Sequence, residues 1–447
     1  MKEIVRAPGG STPGPSTAEG AKGAPDQGYL RLLVFLLGTA TFFEGYDSAI
    51  SGVVLNLLAR DFHVGTGELS WVVLIVGSGA FASLFVTALG DRIGRRPVLI
   101  GTTLGYALFT GLTATASSAW VFVVYQFLAR AFLVGELGVA LTMVAEEFPP
   151  ERRGRAVALL TAFGGFGLVV VALLYPVFGR SALGWRGLYL VGVIPLLLVG
   201  LLRFKLRETG AWLEARREGV VPERVPFRDV LAGPHRREMI LVSAAAFLIH
   251  FAMLGASYWF VLFAQRERGF TPGDVSVFLA VGFPLGIGGY FAAGWLSDRL
   301  GRRRTGVAFM LAGVVFGVAL YQLTDRTEMF VCLVGSVFFG LGITPILGAV
   351  ITELFPTEIR ATAVALARSL FGTLGATIGP FVAGQLADKS HGVVGSLGDG
   401  VSLVILAYLP AAVLLLRLPE TAGRDLVHLD HPQDRSGAGA ATGEQGP

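Results

Sequence analysis

Hydrophobic positions in this chain come in long runs, not in the alternating or one-face patterns of soluble elements. Twelve runs recur with short polar breaks, at approximately 29–58, 69–89, 98–117, 119–146, 155–178, 185–203, 238–264, 274–297, 305–323, 328–352, 360–386 and 401–417. Each is close to the roughly 20 residues that take a helix across the hydrocarbon core of a bilayer. Many contain glycine, which lets membrane helices approach closely; Gly164, Gly165 and Gly167 form one cluster, Gly375 and Gly379 another. One long polar break separates six runs from six, and its stretch 207–214 reads as an interfacial helix anchored by Trp212. The pattern predicts an all-α membrane protein of twelve transmembrane helices. Its expected parts are a disordered tail (1–28), a six-helix bundle (29–203), a linker (204–237), a second six-helix bundle (238–423) and a second tail (424–447).

Composition agrees. Of 447 residues, 53% are hydrophobic and 15% charged, against about 25% charged in soluble domains, and the mean hydropathy is +0.65. The net charge of +4 matters less than where the cations sit. With the N-terminus inside, internal loops hold Arg92, Arg95, Arg96, Arg152, Arg153, Arg155, Arg299, Arg302, Arg303, Arg304 and Arg360. External loops hold Arg60, Arg180, Arg186, Arg266, Arg268, Arg326 and Lys389. That bias places both termini in the cytoplasm of a multi-pass protein of the inner or plasma membrane. The single cysteine, Cys332, lies in an apolar run and reads as packing. No basic face points to nucleic acid, and no Ser/His/Asp or metal-ligand spacing points to an enzyme or a metal site.

The two halves repeat. GDRIGRR around Asp91 matches SDRLGRR around Asp298, and 298 − 91 = 207; EFPPERRGRAVAL matches LFPTEIRATAVAL, and Pro356 − Pro149 again gives 207. One offset for two motifs means a duplicated six-helix unit. The repeated residues Asp91, Arg92, Gly94, Arg95, Arg96 and Glu146, with Asp298, Arg299, Gly301, Arg302, Arg303 and Glu353, read as conformational locks. The aspartates are expected to accept from the amides of the following helix, and the arginines to pair with Glu146 and Glu353. Gly94 and Gly301 permit the turn.

Charges within the runs do not repeat. At the same offset Glu44 maps to Phe251, Asp47 to Leu254, Arg130 to Val337 and Glu136 to Ile343, while His250 maps to Phe43 and Arg368 to Thr161. At about 1.5 Å per residue all six lie within the hydrocarbon zone, where ionisable groups are costly and mark function. Glu44 and Asp47, three apart, share a helix face. Asp47 reads as a proton carrier or as a permanently paired structural carboxylate, and Glu44 as its partner in either role. Arg130 reads as the counter-charge. Glu136, on another face, either packs or relays to the locks. His250 and Arg368 can hold an anion, and Tyr46, Tyr258 and Trp259 can wall a pocket or simply pack.

These motifs resemble the major facilitator superfamily from about residue 29 to 423. Residues 294–303, GWLSDRLGRR, match its loop motif completely, and the first copy has Thr87 in place of the leading glycine. Residues 45–50 resemble the first span of sugar:proton symporters. Glu44-Gly45-Tyr46-Asp47 resembles aromatic acid:proton symporters, as does Arg368 before Gly379-Pro380. Gly135-Glu136 with the FPPERRG loop resembles metabolite:proton symporters. The span-four arginine expected near Gln126 is absent, with Arg130 one turn on, and the amide-rich span-seven signature of sugar porters is missing. The resemblance implies two pseudo-symmetric bundles and a proton-coupled symporter of a small organic acid or related metabolite. Asp47, Glu44, Arg130 and Glu136 would couple protons; Arg130, His250, Arg368, Tyr46, Tyr258 and Trp259 would hold substrate. The alternatives are a proton-driven exporter and a sugar:proton symporter. The expected partners are a small-molecule substrate and the lipid bilayer, with a proton gradient in place of any cofactor and a monomeric state.

Overall fold

In the computed structural model, residues 27–148, 150–218, 228, 230, 233–388 and 394–422 are described, and they are helical with no strand among them. The two tails lie outside the described residues, apart from Gln27 and Gly28, which open the first helix.

The first half consists of α1 (Gln27–Val53) with its short continuation α2 (Leu55–Asp61), α3 (Thr66–Ile93), α4 (Arg95–Thr113), α5 (Ala119–Glu147), α6 (Pro150–Phe178) and α7 (Gly184–Arg203). The linker contributes α8 (Gly210–Glu218). The second half consists of α9 (Arg236–Arg266), α10 (Pro272–Val277) leading into α11 (Phe283–Leu300), α12 (Arg302–Gln322), α13 (Arg326–Leu354), α14 (Thr357–Val364) leading into α15 (Thr373–Leu386), then α16 (Leu397–Ile405) and α17 (Tyr408–Arg417). Nine helical stretches among the described residues are long and apolar enough to cross a membrane. The other three predicted runs, 12 − 9, fall on α1, α4 and α6. Large apolar side chains such as Ile194, Leu201 and Val315 stand more than 60% exposed, an outer surface suited to lipid and not to water.

Glycines set the tightest crossings. A Cβ on Gly45 would strike the Gly164 carbonyl, and one on Gly167 the Phe42 carbonyl, so α1 and α6 touch backbone to backbone. In the second half Gly375 and Gly379 bring α15 equally close to the Phe247 and Phe251 carbonyls of α9. The clusters read from the sequence therefore hold equivalent helix pairs in the two halves.

The halves differ in one backbone respect. Residues Phe278–Gly282, between α10 and α11, and Ala365–Gly372, between α14 and α15, form π-helical turns. At the offset of 207 they correspond to 71–75 and 158–165, which are ordinary α-helix in α3 and α6. A π turn inserts into the ladder at a cost and is found mostly at functional positions.

The two ends of the molecule also differ. At the end where α3 begins, the Thr66 end, helix starts are capped by Ser118, Thr271, Asp325 and Ser396, and the halves are joined. Gln385 of α15 donates to the Gly67 carbonyl (3.0 Å) and Ser70 Oγ (2.7 Å) of α3. Ser276 of α10 donates to the Ala172 carbonyl of α6 (2.6 Å). These side-chain hydrogen bonds between the halves lie toward this end.

Candidate functional site

The Gly94 end carries the repeated motifs. Gly94 and Gly301 have φ of 110° and 95°, the positive values that glycine tolerates at a tight helix-to-helix turn. Arg95 donates to Glu146 (2.9 Å) and pairs with Asp91 (3.2 Å); Arg302 donates to Glu353 (2.8 Å) and pairs with Asp298. The expected arginine–glutamate pairs are formed, each within its own half. The expectation that Asp91 and Asp298 accept from the helix amides is corrected. Glu208 Oε1 accepts from the Arg95 amide (2.8 Å), and Glu420 accepts from the amides of Arg302 (2.8 Å) and Arg303 (3.1 Å). The physical reason is reach. A glutamate from the next segment approaches the amides of α4 or α12 along the axis, while each aspartate, on the preceding helix, faces an arginine one turn on. Burial raises the Glu420 carboxyl, but the amide donors of Ala422, Arg302, Arg303 and Thr421 outweigh it and hold the group below its ordinary value. Arg96 and Arg303 donate to the Phe204 and Leu416 carbonyls, and Arg299 lies over the Trp295 ring. Trp212 does anchor α8, through an indole hydrogen bond to the Asp91 carbonyl (3.0 Å).

Deep in the first half, Arg130 of α5 lies 2.8 Å from Asp47 of α1. Gly79 makes the placement possible, because α3 packs there against the Phe127 carbonyl and Arg130 Cβ. The Asp47 side chain is 4% exposed and that of Arg130 17%, so the carboxylate is sealed and the guanidinium is partly open. Glu44 accepts from Ser48 (3.4 Å) on the same face of α1, and both Glu44 and Tyr258 of the second half lie within electrostatic reach of Arg130. Removing two charges from water is costly, and a buried pair that loses one partner leaves the other stranded. The structure thus brings Asp47, Glu44 and Arg130 together, with Tyr258, expected in a pocket wall, beside them.

Other expected members lie elsewhere. Glu136 pairs with Arg203 (2.5 Å), both side chains at 0–1% exposure. Arg203 also donates to Thr103, to the Leu36 carbonyl (2.7 Å) and to Thr39 (3.1 Å), so this pair ties α1, α4, α5 and α7 together. Tyr46 donates to the Leu188 carbonyl (2.6 Å) and Trp259 to the Pro380 carbonyl (2.8 Å). Both rings are buried, so the expectation that they wall a pocket is corrected: a buried hydroxyl or indole N–H needs a partner, and here each found one in a neighbouring helix.

A second cluster lies in the other half. His250 Nδ1 is 2.8 Å from the Ala246 carbonyl and its ring packs against Gly372 at the end of the longer π turn. Arg368 projects from the same turn, exposed and within electrostatic reach of His250. Among the described residues no carboxylate pairs with Arg368, which leaves it available to an anion. A cavity of about 260 Å³ is lined by residues of both halves, Ser48 and Gly52 of α1, Leu168 of α6, Met253 and Tyr258 of α9 and Val337 of α13 among them, while Asp47, Arg130, His250 and Arg368 do not line it. Its wall is mainly apolar, with hydroxyls from Ser48, Ser257 and Ser336, a lining suited to a small body with few hydrogen-bonding groups. Among the described residues no group of three His, Cys, Asp or Glu side chains is placed to hold a metal.

Comparison with known proteins agrees with this architecture. The Major Facilitator Superfamily profile matches residues 37–380 and 286–433. A niacin transporter of Acinetobacter baylyi is 27% identical over 424 residues, covering 88% of this chain and 95% of that protein. A gentisate transporter of Corynebacterium glutamicum is 29% identical over 408 residues, covering 88% of this chain and 89% of that one. The crystal structure of a D-xylose–proton symporter shares the fold with a TM-score of 0.71 at 17% identity, over 89% of this chain and 99% of the other. With its helical bundles, apolar exterior and duplicated loop motif, the chain belongs to the major facilitator superfamily and is a multi-pass membrane transporter of small molecules, not an enzyme.

Proposed function

We propose that the protein is a proton-coupled symporter of a small organic acid that works by alternating access, with Asp47 as the proton carrier. The observation that carries this reading is the Asp47–Arg130 pair, with a sealed carboxylate, an arginine side chain 17% exposed and Tyr258 of the second half within electrostatic reach of that arginine. Ionised Asp47 holds Arg130. When Asp47 takes a proton the attraction is lost, and Arg130 is free to receive a substrate carboxylate through charge-assisted hydrogen bonds. Proton and anion then load together, and neither moves as an uncompensated charge through low dielectric. Such differential affinity is what allows a ligand to shift a conformational equilibrium.

Arg368 and His250 supply a second anion-attracting point, and the mainly apolar cavity accommodates the uncharged body of the substrate. The niacin and gentisate carriers among the relatives handle compounds of this kind: a carboxylate on a single ring. The excess of Arg at the Gly94 end supports placing that end, and both tails, in the cytoplasm of the cell membrane. Glu136 is left out of the proton path, since Arg203 holds it in a fully buried pair.

The test is uptake of labelled nicotinate and gentisate into proteoliposomes with and without an imposed pH gradient. Symport predicts accumulation above equilibrium of either acid only when the lumen is alkaline. Equal accumulation without a gradient would remove the coupling assignment.

A further inference from the structure

The clasp at the Thr66 end is built almost entirely from neutral groups, and two cations lie beside it. Asn56 of α2 is 2% exposed. Its Nδ2 donates to Gln265 Oε1 of α9 at 2.6 Å, and its Oδ1 accepts from Arg266 Nε at 3.2 Å. Tyr175 of α6 donates to the same Gln265 oxygen at 3.1 Å. One amide of the second half is thus gripped by two side chains of the first. Arg60 lies one turn beyond Asn56 on the same face of α2, and Arg266 follows Gln265 directly, so the contact that joins Asn56 to Arg266 brings both guanidinium groups to the same seam. Arg60 is close enough to interact electrostatically with both Arg266 and Tyr175.

The nearby acids do not neutralise them. Asp61 is engaged by Arg186 (2.7 Å) and the Trp185 indole (3.1 Å). Glu267 accepts from the amides of Leu397 (2.6 Å) and Gly398 (3.3 Å). Arg60 and Arg266 both have exposed side chains, so their repulsion acts through water and is screened by salt.

We propose that this end is a gate loaded toward opening: the Asn56–Gln265–Tyr175 clasp holds it shut against the repulsion between Arg60 and Arg266. Releasing the clasp strands buried amides, which opposes opening. Separating the arginines favours it. The two terms have opposite sign and different sensitivity to salt, so the closed fraction rises with ionic strength. The proposal rests on the alternating-access reading but not on the identity of the substrate or of the proton carrier.

The experiment is pulsed electron-spin distance measurement on protein in lipid nanodiscs, with labels at Ser117→Cys and Thr324→Cys, in a Cys332→Ser background. These positions lie in exposed loops of the two halves at the Thr66 end. Arg60→Gln removes only the charge and should raise the closed-to-open ratio about threefold at low salt, with little further response to added salt. Asn56→Ala and, independently, Gln265→Ala should lengthen the dominant distance at any salt. The proposal is overturned if Arg60→Gln leaves the ratio unchanged or favours the open state. It is equally overturned if both clasp variants stay as closed as the parent. Because distances are read and not flux, a protein that gates as described but fails to couple protons would sink only the symport reading.

Discussion

Among the described residues, the first half of the molecule holds two deeply buried ion pairs, and they differ in what surrounds them. Asp47–Arg130 has a sealed carboxylate and an arginine side chain that is 17% exposed. Glu136–Arg203 is closed on both sides, with 0–1% exposure, and Arg203 is further bound by Thr39, Thr103 and a carbonyl of α1. Both consist of an acid and an arginine from neighbouring helices. The second leaves Glu136 Oε2 and Arg203 Nε without a hydrogen-bond partner among the described residues, yet only the first has a partly exposed member on which a substrate or a proton can act. Depth in the membrane therefore does not distinguish a functional charge from a structural one. Access does.

The comparison is broken most severely at the sealed pair. Arg203→Met leaves Glu136 buried and unpaired, and should destabilise the protein by about 3–5 kcal/mol, seen as a large fall in thermal midpoint in detergent. Adding Glu136→Leu should recover most of that loss and leave transport working. Recovery of stability without transport would mean that the sealed pair also takes part in coupling.

Arg368→Gln acts on the anion-attracting side of the open site. It should raise the KM for nicotinate about tenfold, the scale of one charge-assisted hydrogen bond, with little effect on the half-saturation of its uncharged amide. An equal change for both compounds would place Arg368 in the scaffold. The smallest effect is expected at the locks. The Glu420 carboxyl is held below its ordinary value of 4.5, so its contribution to stability is fully present above that pH and is lost as pH falls through the lower folded value. Glu420→Gln should therefore lower the thermal midpoint modestly at pH 7, and the difference from the parent should shrink below about pH 4.5. A constant difference across that window would show that the amide cap does not depend on charge.

Much of this was legible before the structure. The twelve apolar runs all fall on helices, and the exact offset of 207 aligned the turns at Gly94 and Gly301. The failure of Asp47 and Arg130 to repeat marked them as a pair the fold does not require, and the structure joins them. Arg203 was not legible as a buried residue. It ends an apolar run, where an arginine ordinarily marks the membrane boundary, and only its side-chain bonds to Thr103, Glu136, Thr39 and the Leu36 carbonyl show that it is sealed. The caps Glu208 and Glu420 were missed because their separation is 420 − 208 = 212, five residues longer than the repeat, so a fixed offset could not align them. Tyr46 and Trp259 were overread, since an aromatic residue in an apolar run has the same signature whether it packs or lines a cavity.

The most direct test of the account compares Asp47→Asn with the parent in two assays on the same proteoliposomes. An imposed gradient of one pH unit supports about tenfold accumulation for one proton per substrate. The account predicts that the variant loses this accumulation while still exchanging labelled for unlabelled substrate across the membrane without a gradient. Accumulation by Asp47→Asn at the parent's level would contradict it and return the Asp47–Arg130 pair to a structural role.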